Sequence, residues 1–364
     1  MPDTPRAPSP GRLFVIAIAA AVVGFVITLS FGFADHAPAP HGVRLAVTAP
    51  PDLVRELTAG LAHAAPGGFT ILTAPTAQAV ASDVRSQQAA GGLTAGPAGP
   101  VTIVTAAAAG TSQQQAITTA LSAAAGVLHR PVLALDAVPL PPGDHAGLSA
   151  FVFELGLLLP SVIASVGLFL LGARLRLWWR VTAAALFALL TACGSVLALH
   201  AIYGALTGSG PALLGVGFLG ALTFVAFVTA AQAVTGLPGT GLGALVFVVI
   251  GNAVSGGTVP FAFLPDGFRQ LAPWLPNGAI VSAARDVTYF PAASTAHPLA
   301  VLIIWLAASL AVLVGVDLLH LAERRHAPGR AAEIYATAGT THLRQRRARQ
   351  RTGTLKPDPV TEPA

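Results

Sequence analysis

Long apolar stretches, separated by one polar region, dominate the pattern of the chain. Residues 13–34 contain no charged side chain, and apolar runs return at residues 148–172 and again from residue 181 onward. An apolar helix needs about 20 residues to cross a bilayer core that is about 30 Å thick. Each run meets that length, so we predict a protein that crosses a membrane several times.

The longest apolar run can hold three helices. No Asp, Glu, Lys or Arg occurs between Val181 and Pro265, and glycine-rich turn signals divide this run near residues 204–211 and 235–241. A further apolar run follows near the end of the chain. We therefore predict an α-helical polytopic membrane protein with six transmembrane helices, at about residues 13–34, 148–172, 181–203, 211–234, 240–256 and 297–320.

The first apolar run has two interpretations. A short polar leader, residues 1–12, carries Arg6 and Arg12 ahead of it, as in a signal peptide. Signal peptides, however, have an apolar core of about 7–15 residues, and this run is longer. We interpret it as a retained anchor, and a cleaved signal peptide is the alternative.

Residues 35–147 have a different pattern, in which short runs typical of strands alternate with helical ones. Such alternation is typical of an α/β domain. The sequence thus predicts a small α/β domain inserted after the first transmembrane helix, followed by a membrane domain at residues 148–320. Strands are expected at residues 43–48, 69–73, 101–105 and 132–135, and helices at 52–64, 76–88 and 112–128.

Composition supports a membrane protein and argues against an enzyme. The chain is 54% hydrophobic and 10% charged, whereas soluble domains have about 25% charged residues. The single cysteine, Cys193, allows neither an intrachain disulfide nor a cysteine metal cluster. The only lysine, Lys356, precedes Pro357, so the Gly-Lys-Ser/Thr of a P-loop is absent. With no other catalytic motif in the sequence, we expect no enzyme activity, no cofactor and no metal site.

Basic residues indicate how the chain is oriented. Fourteen of the 20 Lys and Arg residues lie in short segments between or beyond the predicted spans. With six spans, all of these segments fall on the same side of the membrane. Lys and Arg in short segments concentrate on the cytoplasmic side. We expect both termini in the cytoplasm, residues 35–147 outside it, and residues 321–364 as a basic, disordered cytoplasmic tail. The sequence pI of about 10.3 follows from this asymmetry and does not require nucleic-acid binding. The fourteen are Arg6, Arg12, Arg174, Arg176, Arg180, Arg324, Arg325, Arg330, Arg344, Arg346, Arg347, Arg349, Arg351 and Lys356.

Residues 256–290, which we call the broken segment, cannot form an ordinary membrane span. Prolines remove backbone donors and interrupt helices, and charged side chains are costly in lipid. We predict two short helices at the outer membrane face, with Pro273 and Pro276 ending the first and Asn277 capping the second. The residues that carry this prediction are Gly256, Gly257, Pro260, Pro265, Asp266, Arg269, Pro273, Pro276 and Arg285.

Two stretches resemble a known family. The broken segment reads G-G-x-x-P-x-x-x-L-P and then P-x-x-P before a helix that carries Arg285, and VPLPPGD begins at Val138. The chain resembles type 2 ABC exporter permeases and is most similar to their YhgE/Pip group. The resemblance implies a homodimeric permease in the bacterial plasma membrane, driven by a separate cytoplasmic ATPase subunit, with residues 35–147 extracytoplasmic.

The resemblance and the charges within spans identify candidate site residues. An ionisable group within a span is a functional candidate by default, although Glu154 can instead snorkel or pair with Arg285. In these permeases the link between the second and third spans contacts the ATPase, although basic residues there also set topology. The pathway or gating candidates are Glu154, Gly256, Gly257, Pro260, Pro265, Pro276 and Arg285, and the candidate ATPase contacts are Arg174, Arg176 and Arg180.

Three functions remain open from the sequence. The first is a permease that exports an unidentified amphipathic or envelope-related substrate with a separate ATPase. The second is an ATPase-independent envelope scaffold, secretion accessory or phage-receptor-like protein. The third is a proton-driven exporter, which depends on Glu154 and Asp317 alone.

Overall fold

The chain is mostly helical and contains one five-stranded sheet. The computed structural model describes residues 10–36, 38–126, 130–172 and 175–322. Most of the predicted leader, the candidate Arg174 and nearly all of the predicted tail lie outside the described residues. Four of the described helices are long and apolar enough to cross a membrane. The prediction of several apolar helices of membrane length is confirmed for four of the six predicted spans.

The first helix leads into an α/β region. Its sheet has the order β2-β1-β3-β4-β5, in which β3 and β4 are antiparallel and all other neighbours are parallel. The elements are α1 (Pro10–Asp35), β1 (Val43–Thr48), α2 (Pro51–Ala64), β2 (Phe69–Thr73), α3 (Ala77–Arg85), β3 (Gly91–Ala95), β4 (Val101–Thr105), a short 3-10 turn (Ala107–Ala109), α4 (Thr111–Gly126) and β5 (Val132–Asp136).

Four of these strands lie where the sequence predicts them, but β3 was not predicted. Its first residues, Gly91 and Gly92, lack the β-branched side chains that signal a strand. The structure shows why they are glycines. A Cβ on Gly92 would lie 2.4 Å from the Ala46 carbonyl oxygen and from Val80, and one on Gly91 would lie 2.8 Å from Ile117. Helices on both faces therefore approach the strand too closely for a side chain.

The second half of the chain forms a helix bundle. Its helices are α5 (Ser149–Gly172), α6 (Leu177–Ile202), α7 (Gly210–Thr235), α8 (Pro238–Gly251) and α11 (Ala296–Ala322). The four of membrane length are α5, α6, α7 and α11. About 61% of the apolar window of α7 is buried, against 11% for α6, so α7 lies at the centre of the bundle and α6 at its surface.

Glycines allow the bundle helices to approach closely, as small residues do in membrane proteins. A Cβ on Gly217 would lie 2.9 Å from the Phe153 ring, and one on Gly220 would lie 2.7 Å from Ile280. The space beside these contacts is filled by aromatic rings. Phe247 packs edge-on against Phe224 and Phe227, with ring centroids 4.9 Å apart in both pairs.

The predicted fifth span is shorter than the sequence indicates. Helix α8 combines an α-helical part with eight residues of wider π-helical turns, Ala244–Gly251. At the α-helical rise it is about 21 Å long, less than the bilayer core of about 30 Å. Residues 252 and 253 complete its last turn, residues 254–260 continue as irregular backbone, and nearly all of these residues are buried.

The broken segment contains two short helices, as predicted. A 3-10 turn (Phe261–Phe263) precedes α9 (Phe268–Leu271), which continues into a second 3-10 turn (Ala272–Trp274), and α10 spans Pro276–Tyr289. The prediction that Asn277 caps α10 is wrong. The cap position is Leu275, no side chain caps it, and Asn277 lies inside the first turn with its side chain directed into the bundle.

Candidate functional site

Arg285 holds the start of the broken segment in place. It is nine-tenths buried on α10, and its Nη1 and Nη2 atoms donate to the carbonyl oxygens of Gly256 (2.8 Å) and Gly257 (3.2 Å). Irregular backbone leaves carbonyl groups without helical partners, and buried unpaired groups are costly. A guanidinium with five donors on a planar fork can satisfy two of them at once. We call this arrangement the arginine latch.

The two glycines of the latch are required by their surroundings. Gly256 has a φ of +74°, which glycine adopts without steric cost, and a Cβ there would lie 2.6 Å from the Phe261 ring. A Cβ on Gly257 would lie 2.4 Å from the ring of Phe151 on α5. The backbone therefore lies directly against aromatic side chains, and the carbonyl groups are free to face Arg285.

A second polar contact lies inside the bundle. Glu154 on α5 is fully buried, and its Oε1 atom accepts a hydrogen bond of 2.6 Å from the Asn277 side chain on α10. The same amide nitrogen donates to the Phe247 carbonyl oxygen on α8 at 3.1 Å. Among the described residues, Glu154 Oε2 and Asn277 Oδ1 have no hydrogen-bond partner. The contact joins three helices and leaves two acceptor atoms unsatisfied.

The Asn277 amide can occupy its position because residue 251 is a glycine and has no side chain. A Cβ on Gly251 would lie 2.1 Å from Asn277 Oδ1. Gly251 ends the π-helical part of α8, a form that occurs frequently at functional sites. The end of α8, the start of α10 and the buried acid are therefore fitted together around one amide group.

The VPLPPGD stretch packs against the far end of α10. Asp144 is buried, and its Oδ1 atom accepts hydrogen bonds from the backbone N–H groups of Leu148 and Ser149, at 3.1 and 3.2 Å, which begin α5. The Tyr289 hydroxyl lies 3.1 Å from Asp144 Oδ2 and 2.6 Å from the Ala205 carbonyl oxygen. The two stretches that carry the family resemblance thus meet in the structure.

The α/β region contacts the broken segment directly. Ser112 on α4 donates to the Thr258 carbonyl oxygen at 2.9 Å, and the His41 backbone N–H donates to the Ala262 carbonyl oxygen at 2.8 Å. Apolar side chains of both parts, including Val254 and Leu45, belong to one hydrophobic cluster. A change in the α/β region therefore has a direct physical route to the broken segment.

A cavity of about 320 Å³ lies between these two parts. The sheet contributes residues at the end where β1 and β3 begin and β4 finishes, among them Arg44 and Ala106, and the broken segment contributes Pro260, Arg285 and Asp286. Loss of hydration lowers the pKa of Arg285 to about 10, although Asp144, Tyr289 and Asp286 oppose the change. Burial raises the pKa of Asp286 to about 6, although Gln87 and Arg285 oppose it.

The structure brings together only part of the predicted site. Gly256, Gly257 and Arg285 form the latch, and Pro260 lines the cavity beside it. Glu154 instead contacts Asn277, and among the described residues it forms no ion pair with Arg285.

The remaining candidates lie apart from the latch. Pro265 precedes α9, where its carbonyl oxygen accepts from the Arg269 backbone N–H at 3.0 Å, and Pro276 is the first residue of α10. On the α5–α6 connection Arg176 is exposed, and Arg180 packs against Gly172. Their side chains make no contact with the arginine latch that the structure records.

Asn277 and Asp144 are the site residues that the sequence did not single out. Asn277 was assigned to a helix cap because asparagine is strongly preferred at that position. Its actual partner, Glu154, lies 123 positions away, and no local pattern reveals it. The signal for Asp144 was present, since an aspartate just before an apolar helix is typical of an N-terminal cap.

Chemically, the side chains of the site hold buried backbone and each other through hydrogen bonds. The described residues contain no cluster of three or more His, Cys, Asp or Glu side chains that could hold a metal ion. Its polar groups bind carbonyl oxygens, amides and carboxylates and connect the α/β region to the helices of the bundle. No family model matches this chain, and no curated protein matches it.

Proposed function

We propose that the chain is the permease subunit of an ABC-type exporter, which moves an amphipathic or envelope-related substrate out of the cell. In this proposal α1, α5, α6, α7, α11 and α8 with its irregular continuation cross the bacterial plasma membrane. Both termini lie in the cytoplasm, and residues 35–147 lie outside it. Two copies form the pathway, and a separate cytoplasmic ATPase drives it.

The observation that carries the proposal is the irregular backbone that follows α8. Non-helical backbone at membrane depth is tolerated where protein buries it or where it lines a water-filled cavity. Residues 254–260 are almost entirely buried, and the arginine latch occupies two of their carbonyl oxygens. A helix broken at a defined point and held by one side chain is a suitable element for opening a pathway.

The energy source in this proposal is a partner protein. The sequence has no P-loop, since its only lysine precedes a proline. The candidate contact is the α5–α6 connection with its exposed Arg176, next to the first turn of α6, where the rings of Trp178 and Trp179 stack with centroids 3.8 Å apart. Arginine suits such a surface because it can bind carboxylates through two parallel hydrogen bonds.

The test is purification of the full chain in mild detergent. We expect an ATPase to co-purify with it, and we expect Arg176→Glu to weaken that association, whereas Arg55→Glu in the exposed part of α2 does not. Export of the substrate should stop in strains that lack this ATPase. Normal export in a strain without any candidate ATPase would contradict the proposal.

An exposed strand supports a second candidate, an ATPase-independent envelope scaffold or receptor. Strand β5 is at the edge of the sheet, and its apolar side chains Val132, Leu133 and Leu135 are 39%, 53% and 47% exposed. Unprotected apolar edges are uncommon because they pair with other chains, and added strands are a known mode of recognition. A partner strand at β5 would cover both its backbone edge and these side chains.

Introducing a charged side chain on β5 distinguishes the scaffold function from the permease function. In a scaffold, Leu133→Lys should abolish partner or phage binding, whereas Thr70→Lys on β2, the opposite edge strand, should not. A permease should retain export in both variants. If Leu133→Lys binds every envelope partner normally, the scaffold candidate is wrong.

A further inference from the structure

The cavity between the sheet and the broken segment is built like a ligand site. Its volume of about 320 Å³ lies at the lower end of the range for small-molecule pockets, about 300–1,000 Å³. Its apolar wall includes Val84, Phe261 and Phe290. Polar and apolar surface line it in similar amounts, and apolar walls with converging polar groups are the usual form of such sites.

The polar groups around the cavity carry both signs of charge. Arg44, Arg285 and Asp286 line it together with the side-chain amides of Gln87 and Gln113. Arg285 and Asp286 are 9% and 5% exposed, so their charges are not dispersed in solvent. Arg285 has five N–H donors, of which the latch uses two, and within the described part of the chain no partner is recorded for the others.

The backbone beside these charges adopts an unusual conformation. Gln87 has a φ of +59°, a left-handed conformation that is uncommon for residues other than glycine. Its side chain lowers the pKa of Asp286, against the larger effect of burial, and its carbonyl oxygen lies 3.5 Å from Arg44 Nη2. Such conformations concentrate at ligand clamps and active sites. Gln87 is thus close to both Arg44 and Asp286, two of the charged residues that line the cavity.

We propose that this cavity binds a small zwitterion of about dipeptide size. Its carboxylate contacts Arg44 and Arg285, its ammonium group contacts Asp286, and its apolar side group packs against Phe261 and Phe290. Two arginines match a carboxylate, which accepts bidentate hydrogen bonds. Asp286, the one acidic residue among the described residues that line the cavity, gives the ammonium group its partner.

A ligand in this position contacts the arginine latch itself. The guanidinium that would bind the carboxylate is the one that holds the Gly256 and Gly257 carbonyl oxygens. Occupancy of the cavity is therefore coupled to the position of the broken segment, whichever protein drives transport. The binding itself does not depend on an ATPase or on export, and it can be measured on the purified chain.

Three matched probes test the charge pattern. Binding of radiolabelled Ala-Leu to the full chain in detergent is measured by equilibrium dialysis, beside N-acetyl-Ala-Leu, which lacks the ammonium group, and Ala-Leu-amide, which lacks the carboxylate. We expect saturable binding of Ala-Leu and at least tenfold weaker binding of both blocked probes. Absence of saturable Ala-Leu binding, or equal binding of either blocked probe, would overturn the proposal.

Two single-residue variants test whether Ala-Leu binds in this cavity. Arg44→Gln is the main variant because Arg44 is exposed on β1 and its loss should not affect folding. We expect it to weaken Ala-Leu binding at least tenfold, whereas Arg55→Gln, a distant exposed arginine of the same region, leaves binding unchanged. Equal binding by wild type and Arg44→Gln would locate the site elsewhere and refute the assignment.

A labelling measurement provides an independent readout. Ser282 lines the cavity on α10, and the only natural cysteine can be removed as Cys193→Ser. In that background Ala-Leu should slow thiol modification of Ser282→Cys several-fold and should not affect Asp266→Cys, which lies on the exposed part of the broken segment. Equal protection at both positions would show that the probe does not occupy the cavity.

Discussion

Replacement of Gly256 by alanine tests whether the latch depends on close backbone packing. Gly256 has a φ of +74°, and its new Cβ would lie 2.6 Å from the Phe261 ring. Gly67 has a similar φ of +71°, but a Cβ there would meet nothing within 4 Å. The pair Gly256→Ala and Gly67→Ala therefore separates the packing effect from the cost of the positive φ.

The expected magnitudes follow from these two contributions. Left-handed backbone costs an alanine about 1–2 kcal/mol, and both variants lose this amount. Insertion of a carbon atom into a filled site costs about 1–3 kcal/mol more, and only Gly256→Ala loses it. We expect Gly256→Ala to be less stable than Gly67→Ala by about 1–3 kcal/mol. The difference should lower the thermal midpoint by roughly 1–4 °C.

The assay is fluorescence-detected gel filtration after heating in detergent, with a double-mutant cycle as its control. Phe261→Ala removes the ring that the new Cβ would meet. In the Phe261→Ala background, Gly256→Ala should cost no more than Gly67→Ala, because neighbouring residues that share a contact are not additive. If Gly256→Ala causes the same loss with and without the Phe261 ring, the packing argument is wrong.

Three further predictions concern buried polar groups. Gly251→Ala should lower stability by about 1–2 kcal/mol, because its Cβ would displace the Asn277 amide and interhelical hydrogen bonds contribute about that much. The thermal midpoint measures this loss, and Gly215→Ala, in open space on α7, should be neutral or stabilising by up to about 1 kcal/mol. Glu154→Gln keeps an acceptor for Asn277 and should leave export and its pH profile unchanged if ATP drives transport; a lost pH dependence would favour the proton-driven alternative. Asp286 has a pKa raised to about 6 by burial, so the folded state binds more protons than the unfolded state between about pH 4 and 6, and stability should fall as pH rises through that window. Asp286→Asn should remove this slope, which amounts to roughly 3 kcal/mol at most, in thermal midpoints measured from pH 4 to 7; an unchanged slope would contradict the assignment.

The elements that the sequence predicts correctly are those with a strong local pattern. Four strands of the α/β region and the ends of α5, α7 and α11 lie within a few residues of their predicted positions. Their signals are apolar periodicity and run length, which depend only on neighbours along the chain. Helix α8 was predicted less well because its apolar run continues past Gly251, and run length does not show where a helix gives way to buried irregular backbone.

The contacts of the candidate site depend on residues that are distant along the chain. Arg285 was identified because a charge between apolar runs is unusual, but its partners at Gly256 and Gly257 lie 29 and 28 positions away. Glu154 was identified for the same reason, and its partner Asn277 was assigned to a cap. Residue type therefore identified several members of the site, whereas their pairing required the three-dimensional structure.

The topology of the broken segment can be measured by cysteine labelling. Asp266 and Gln270 are exposed around α9, and Trp274, 58% exposed, has the amphipathic ring that is common at membrane interfaces. If this part faces the outside, Asp266→Cys and Gln270→Cys in the Cys193→Ser background should react with a membrane-impermeant thiol reagent added to intact cells.

The turn between α7 and α8 supplies the matched control for this experiment. Leu237 is 52% exposed in that turn, and α8 and its irregular continuation separate it from Asp266. Leu237→Cys should therefore react only after the cytoplasmic face has been opened. All three positions are accessible, so a difference between them reports the side of the membrane and not burial. If Leu237→Cys reacts from outside while Asp266→Cys and Gln270→Cys do not, the orientation is reversed and the exporter proposal fails with it.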